Sequence, residues 1–146
     1  MMDRVVQWGI LGTGSMARDF AYDLRHVKGS KLRAIGSRGA ERAGNFARAV
    51  GAQRAYGSYR ELVSDTEVDV VYIATPHAFH KEHCLLALLA GKAVLCEKPF
   101  TLSVAEAAGV IELARRKQRF CMEAMWMHFV PAMRKAIVLI RSGAIG

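Results

Sequence analysis

Short apolar runs alternate along this chain with segments whose apolar residues recur every third or fourth position. Residues 5–11 (VVQWGIL) form a mostly apolar run, as a strand buried on both faces of a parallel sheet requires. Over 15–27, Met16, Phe20, Leu24 and Val27 repeat at helical spacing. The alternation predicts strands at 31–36, 52–56, 68–74, 93–96 and 119–125, and helices at 40–50, 58–63, 78–90, 104–117 and 131–141. Gly51 and Gly91 stand where helices close. Ser58 and Ser103 each precede a glutamate by three residues (Glu61, Glu106), which predicts two capping boxes.

The turn between the first strand and first helix reads Gly12-Thr13-Gly14-Ser15-Met16-Ala17. In a Gly-x-Gly-x-x-Ala turn the first glycine permits the tight bend, the second lets backbone approach a pyrophosphate, and the small third residue lets helix and strand pack. The helix N-terminus behind it offers free N–H groups and a positive dipole end to phosphate. With strands and helices alternating throughout, the predicted fold class is α/β. It is a Rossmann doubly wound parallel sheet in three layers, about six strands in the order 3-2-1-4-5-6. The 146 residues suit one domain, so residues 1–146 are expected to be a single NAD(P)-binding unit.

A site built for NAD places Asp or Glu at the end of the second strand, on the ribose 2′-hydroxyl. Here that position reads Gly36-Ser37-Arg38, with Arg42 four residues further on and no carboxylate. Arg38 and Arg42 suit a 2′-phosphate, Arg38 can stack on adenine, and Ser37 can donate a hydrogen bond. NADP is the expected cofactor, with NAD left open.

Charge changes this picture little. The formal net charge is +8, and the one dense basic cluster, Arg115 to Arg119, sits at a predicted helix C-terminus, where the dipole favours cations. Nucleic acid is not expected as a partner. No apolar run is long enough to span a bilayer, and no signal peptide opens the chain, so the expectation is a cytoplasmic protein. Cys84, Cys96 and Cys121 are odd in number and lack CxxC spacing, which predicts buried free thiols. His77, His80 and His83 recur every third residue, but they drift round a helix with no further ligand arranged beside them. No metal is expected.

After the fifth strand comes Cys96-Glu97-Lys98-Pro99-Phe100, at the carboxyl edge of the sheet where open α/β folds bind ligands. A lysine there can serve as general acid or base, or be a plain surface lysine beside a proline turn. Taken together, the glycine turn, Ser37-Arg38, Ala74-Thr75-Pro76-His77-x-x-His80 and Glu97-Lys98-Pro99 resemble the Gfo/Idh/MocA oxidoreductases, in the family's order and across the whole chain. The run from Glu123-Ala124-Met125-Trp126 to Pro131 is most similar to the dihydrodiol dehydrogenase and NADP-dependent xylose dehydrogenase branch, although His128 stands where that branch usually has Arg.

The resemblance implies roles. Lys98 would be the catalytic lysine, also touching cofactor, in a Lys-Pro bond that family members often hold cis. Glu97 would line the nicotinamide-ribose side. Thr75, Pro76 and His77 would border adenosine and pyrophosphate, His77 taking a place that is often Asn. His80 would lie near the cofactor, and Trp126 by nicotinamide or substrate. Family enzymes carry a second domain that supplies most of the substrate pocket and often the dimer face. The expectation is that such a C-terminal domain is absent from this chain, which ends on Ser142 to Gly146, and that the full-length protein is a homo-oligomer. Two function classes follow. One is an NADP-dependent dehydrogenase acting on a sugar, polyol or diol, of which this chain alone would turn over poorly. The other is a non-catalytic dinucleotide-sensing or interaction module, which would have no need of Lys98.

Overall fold

The computed structural model describes residues 4–145. Six strands, β1 (Val6–Leu11), β2 (Ser30–Gly36), β3 (Arg54–Tyr56), β4 (Val70–Ile73), β5 (Ala93–Cys96) and β6 (Cys121–Glu123), form one sheet in the order β3-β2-β1-β4-β5-β6. Every neighbouring pair is parallel, so the predicted order and direction hold. The helices are α1 (Ser15–Leu24), α2 (Ala40–Val50), α3 (Tyr59–Ser64), α4 (His80–Leu89), α5 (Val104–Arg116) and α6 (Pro131–Arg141).

Strand side chains alternate between two cores, because successive residues point to opposite faces. Ile10, Ile35 and Tyr72 face α1 and α2 with Ala17, Ala21, Phe46 and Val50. Their neighbours Leu11, Ala34, Val71 and Ile73 face α3, α4 and α5 with Leu62, Cys84, Leu88 and Val110. Burial on both faces explains the continuous apolar runs of the central strands. It also makes three layers.

Departures from the predicted elements have local causes. The helix expected over 78–90 is split: Pro76 is extended, the Phe79 N–H bonds back to its carbonyl, and a 3-10 turn (His77–Phe79) precedes α4. Ser58 and Glu61 form the full predicted capping box. At Ser103 half of it forms: the Ser103 hydroxyl accepts from Glu106 N–H, while the Glu106 carboxylate accepts from Leu102 N–H instead. α6 has no buried residue and packs on a 3-10 turn, Trp126–Phe129, rather than on the sheet. Cys84 and Cys96 are buried free thiols, as expected, and Cys121 is half-buried. Among the described residues no helix is long and apolar enough to cross a membrane.

Candidate dinucleotide cleft

The two glycines of the first turn are glycine for different reasons. Gly12 has φ +110°, and a Cβ there would stand 2.5 Å from the Ala74 carbonyl oxygen at the end of β4. The fold itself requires a glycine. Gly14 has φ −83° and ψ −174°, which any residue adopts, and a Cβ there would meet nothing within 4 Å. Gly14 opens onto free space at the N-cap of α1, which has no side-chain cap and no acidic residue in its first turn. The uncapped N–H groups point where an anion would be stabilised. Ala17 is fully buried under the turn, in the packing role its small side chain suggested.

That space is a cleft of about 310 Å³ at the carboxyl ends of β1, β2 and β4. It is lined by Gly12, Thr13, Gly14, Ser15 and Met16 from the turn, by Ser37, Arg38 and Arg42 beyond β2, and by Thr75 and Pro76 beyond β4. Ser37 and Thr75 are buried, and both arginines are exposed. Thus ten of the predicted residues, distant in sequence, share one cleft. A uniformly cationic end and an uncapped helix start fit the phosphates of a dinucleotide.

Met16 also lines a second cavity of about 420 Å³, with Phe20, Tyr72, Leu95, Glu97 and Trp126 among its walls. Glu97 is buried and accepts a 2.6 Å hydrogen bond from the Tyr72 hydroxyl. Burial first, then this bond to Glu97, raises the Tyr72 pKa well above that of a free tyrosine. Lys98 follows, exposed at the surface, and the Lys98-Pro99 bond is cis.

A sequence model described as "Oxidoreductase family, NAD-binding Rossmann fold", of the Gfo/Idh/MocA type, matches residues 6–125. The chain belongs to the Gfo/Idh/MocA oxidoreductase family. Trans-1,2-dihydrobenzene-1,2-diol dehydrogenase of Mus musculus is 43% identical over 97% of this chain and 43% of its own length. D-xylose 1-dehydrogenase (NADP(+)) of Hypocrea jecorina is 40% identical over 97% of this chain and 39% of its own. These are the two kinds of enzyme to which the run at 123–131 pointed. A crystal structure of a 3-ketoreductase from Actinomadura kijaniata, in complex with TDP-benzene and NADP, superposes with a TM-score of 0.90 at 30% identity, over 97% of this chain and 45% of that one. The chain therefore spans about two-fifths of the length of its curated relatives.

Not every residue singled out by family motif reaches the cleft. His77 is exposed on the 3-10 turn and is not among the residues lining either cavity. His80 is fully buried, and its ring nitrogens face main-chain carbonyls. Its side chain braces the cleft from behind. His83, read only as part of the histidine series, places Nδ1 2.8 Å from the Thr75 hydroxyl. Among the described residues no three His, Cys, Asp or Glu side chains converge as metal ligands. Sequence reasoning missed Tyr59, which lines the cleft beside Arg38 and Arg42. Its signal was faint: it is simply the first residue of a short capped helix, and only the crossover from β3 to β4 lays that helix over the cleft.

Proposed function

We propose that this chain is the NADP(H)-binding unit of a dehydrogenase that moves hydride between the cofactor and the hydroxyl or carbonyl carbon of a sugar, polyol or diol. The observation that carries the reading is the open space at Gly14, bounded by an uncapped helix N-terminus on one side and by Arg38 and Arg42 on the other. NADP, which the names of the fungal relative and of the ketoreductase complex include, supplies or accepts the hydride when bound.

The chain's own residues bind, orient and handle the proton. The N–H groups at 14–16 hold pyrophosphate. Arg38 and Arg42 pair with a 2′-phosphate, helped by the Ser37 hydroxyl. Thr75 and Pro76 flank the adenosine side, and His77 stays at its rim. Glu97 and Trp126 border the nicotinamide end. Lys98 Nζ takes the proton of the substrate hydroxyl in oxidation and returns it in reduction. The same reading has the whole protein as a cytoplasmic homo-oligomer acting on a small molecule, without nucleic-acid or membrane partners, its substrate pocket completed by a second domain.

Calorimetric titration with NADPH and NADH tests it. NADPH should bind more tightly, by about 1.5–3 kcal/mol for one charge-assisted pair. Equal affinities or a preference for NADH would refute the assignment of the arginines.

A further inference from the structure

His80 begins α4 and has no solvent exposure. Its ring lies between two main-chain carbonyls: Nδ1 is 2.8 Å from Pro99 O, and Nε2 is 2.9 Å from Thr75 O. A carbonyl oxygen only accepts, and a neutral imidazole carries one N–H and one bare lone pair. A neutral ring would therefore set lone pair against lone pair at one of these contacts, inside a core where an unmatched polar pair is costly. The imidazolium, with two N–H donors, satisfies both.

The surroundings accept that charge. Cys96 on β5 lies against the ring, and Glu97 follows it; Cys84 and His83 come from α4 itself, and the His77 ring is 5.4 Å away, centroid to centroid. Hydrogen bonding to Cys84, against burial, and then to His80 draws the Cys96 thiol pKa down. Burial opposes the charge on His80, but Cys96 and the Pro99 and Thr75 carbonyls outweigh it and push the pKa up to about 9. His83 goes the other way: burial, with the nearby charges of His80 and Arg38, lowers its pKa against the pull of Glu82. The two histidines thus hold Thr75 at two atoms, His80 at its carbonyl and His83 at its hydroxyl.

Thr75 belongs to the wall of the cleft, and Pro99 to the turn that carries Glu97 and Lys98. We propose that His80 is a positioning residue protonated at neutral pH, whose imidazolium fastens the Thr75 wall to the Glu97-Lys98-Pro99 turn and so sets where Lys98 stands relative to a bound dinucleotide. The positioning role rests on the dinucleotide reading above; the charge state does not.

Long-range proton–nitrogen NMR on the ¹⁵N-histidine-labelled chain tests the charge. At pH ~8, where an unperturbed histidine is neutral, one ring should show two protonated nitrogens, and that signal should be missing in His80→Gln. It should persist until about pH 9. A single protonated nitrogen on His80 at pH ~8 would overturn the proposal. NADPH titration of His80→Gln and His80→Phe tests positioning, with thermal melts to establish folding. His80→Gln is neutral and should bind roughly 10-fold more weakly, as for one lost charge-assisted bond, with His80→Phe weaker still. Wild-type affinity should fall above about pH 9 while that of His80→Gln stays level. Undiminished affinity in a folded His80→Phe would overturn the positioning role. A wild-type chain that binds no NADPH would overturn the dinucleotide reading and the positioning role together, while the nitrogen spectrum would still decide the charge. If neither variant folds, the wild-type spectrum and the wild-type pH dependence of binding decide.

Discussion

Gly12 and Gly14 lie two residues apart in one motif, yet substitution should separate fold from function. At Gly12, φ +110° is a glycine region, and holding another residue there costs about 1–3 kcal/mol. The new Cβ would also stand 2.5 Å from Ala74 O. That carbonyl cannot retreat freely, because the Ala74 N–H bonds Leu11 O at 2.9 Å and the Gly12 N–H bonds Gly36 O at 3.0 Å. Overpacking against such a fixed group costs another ~1–3 kcal/mol. Gly12→Ala should therefore lose about 2–6 kcal/mol, a large part of a stability of roughly 5–15 kcal/mol. Its Tm should fall by roughly 5–20 °C. At Gly14 a Cβ meets no atom within 4 Å and φ is ordinary, so Gly14→Val should cost at most the ~1 kcal/mol of a poorer N-cap. Its branched side chain instead fills the space a pyrophosphate would need, and NADPH affinity should drop below detection. Thermal or urea melts and calorimetry on the two variants form the assay. A Gly14→Val chain that binds NADPH normally would refute the phosphate site, and one that melts as low as Gly12→Ala would refute the claim that its surroundings are open.

Arg38→Ala should erase most of the preference for NADPH, roughly 10- to 100-fold in Kd, and leave NADH binding nearly unchanged; parallel titrations check it. If the proposed dehydrogenase reading holds, Lys98→Ala in a complete enzyme should lower turnover by about 10²–10⁴-fold and shift cofactor affinity far less, which steady-state rates and a binding titration together decide. Asp65, with its side chain 1% exposed, accepts from Arg54 and Tyr56 and from the Glu67 N–H. Burial alone would raise its pKa, but these partners together hold it below that of a free carboxylate. Its stabilisation is therefore complete above the free carboxylate's pKa and is lost as pH falls through the lower folded value. Asp65→Asn should cost about 1–3 kcal/mol near neutrality, and denaturation curves should show that gap closing in acid.

The alternation of strands and helices, the sheet order and the glycine turn were legible in the sequence because each rests on local physics. A residue's periodicity decides which face it shows. A glycine that must take φ +110° announces itself, and a crossover has one favoured hand. The same logic read Ser37-Arg38 correctly as a strand end without a carboxylate. Other features depend on which strand ends lie side by side, and no local pattern contains that. The crossover from β3 to β4 brings Tyr59 over a cleft whose other walls lie at 12–16, 37–42 and 74–76. Trp126 joins Met16 and Glu97 in a cavity because α1 and the end of β6 border the same face of the sheet. His80 was read by motif as a cofactor neighbour, and the fold buries it between two carbonyls 24 residues apart, Thr75 and Pro99. Spacing along α4 could place its Cα; only the docking of α4 against the ends of β4 and β5 decides where the ring points and which two carbonyls it faces.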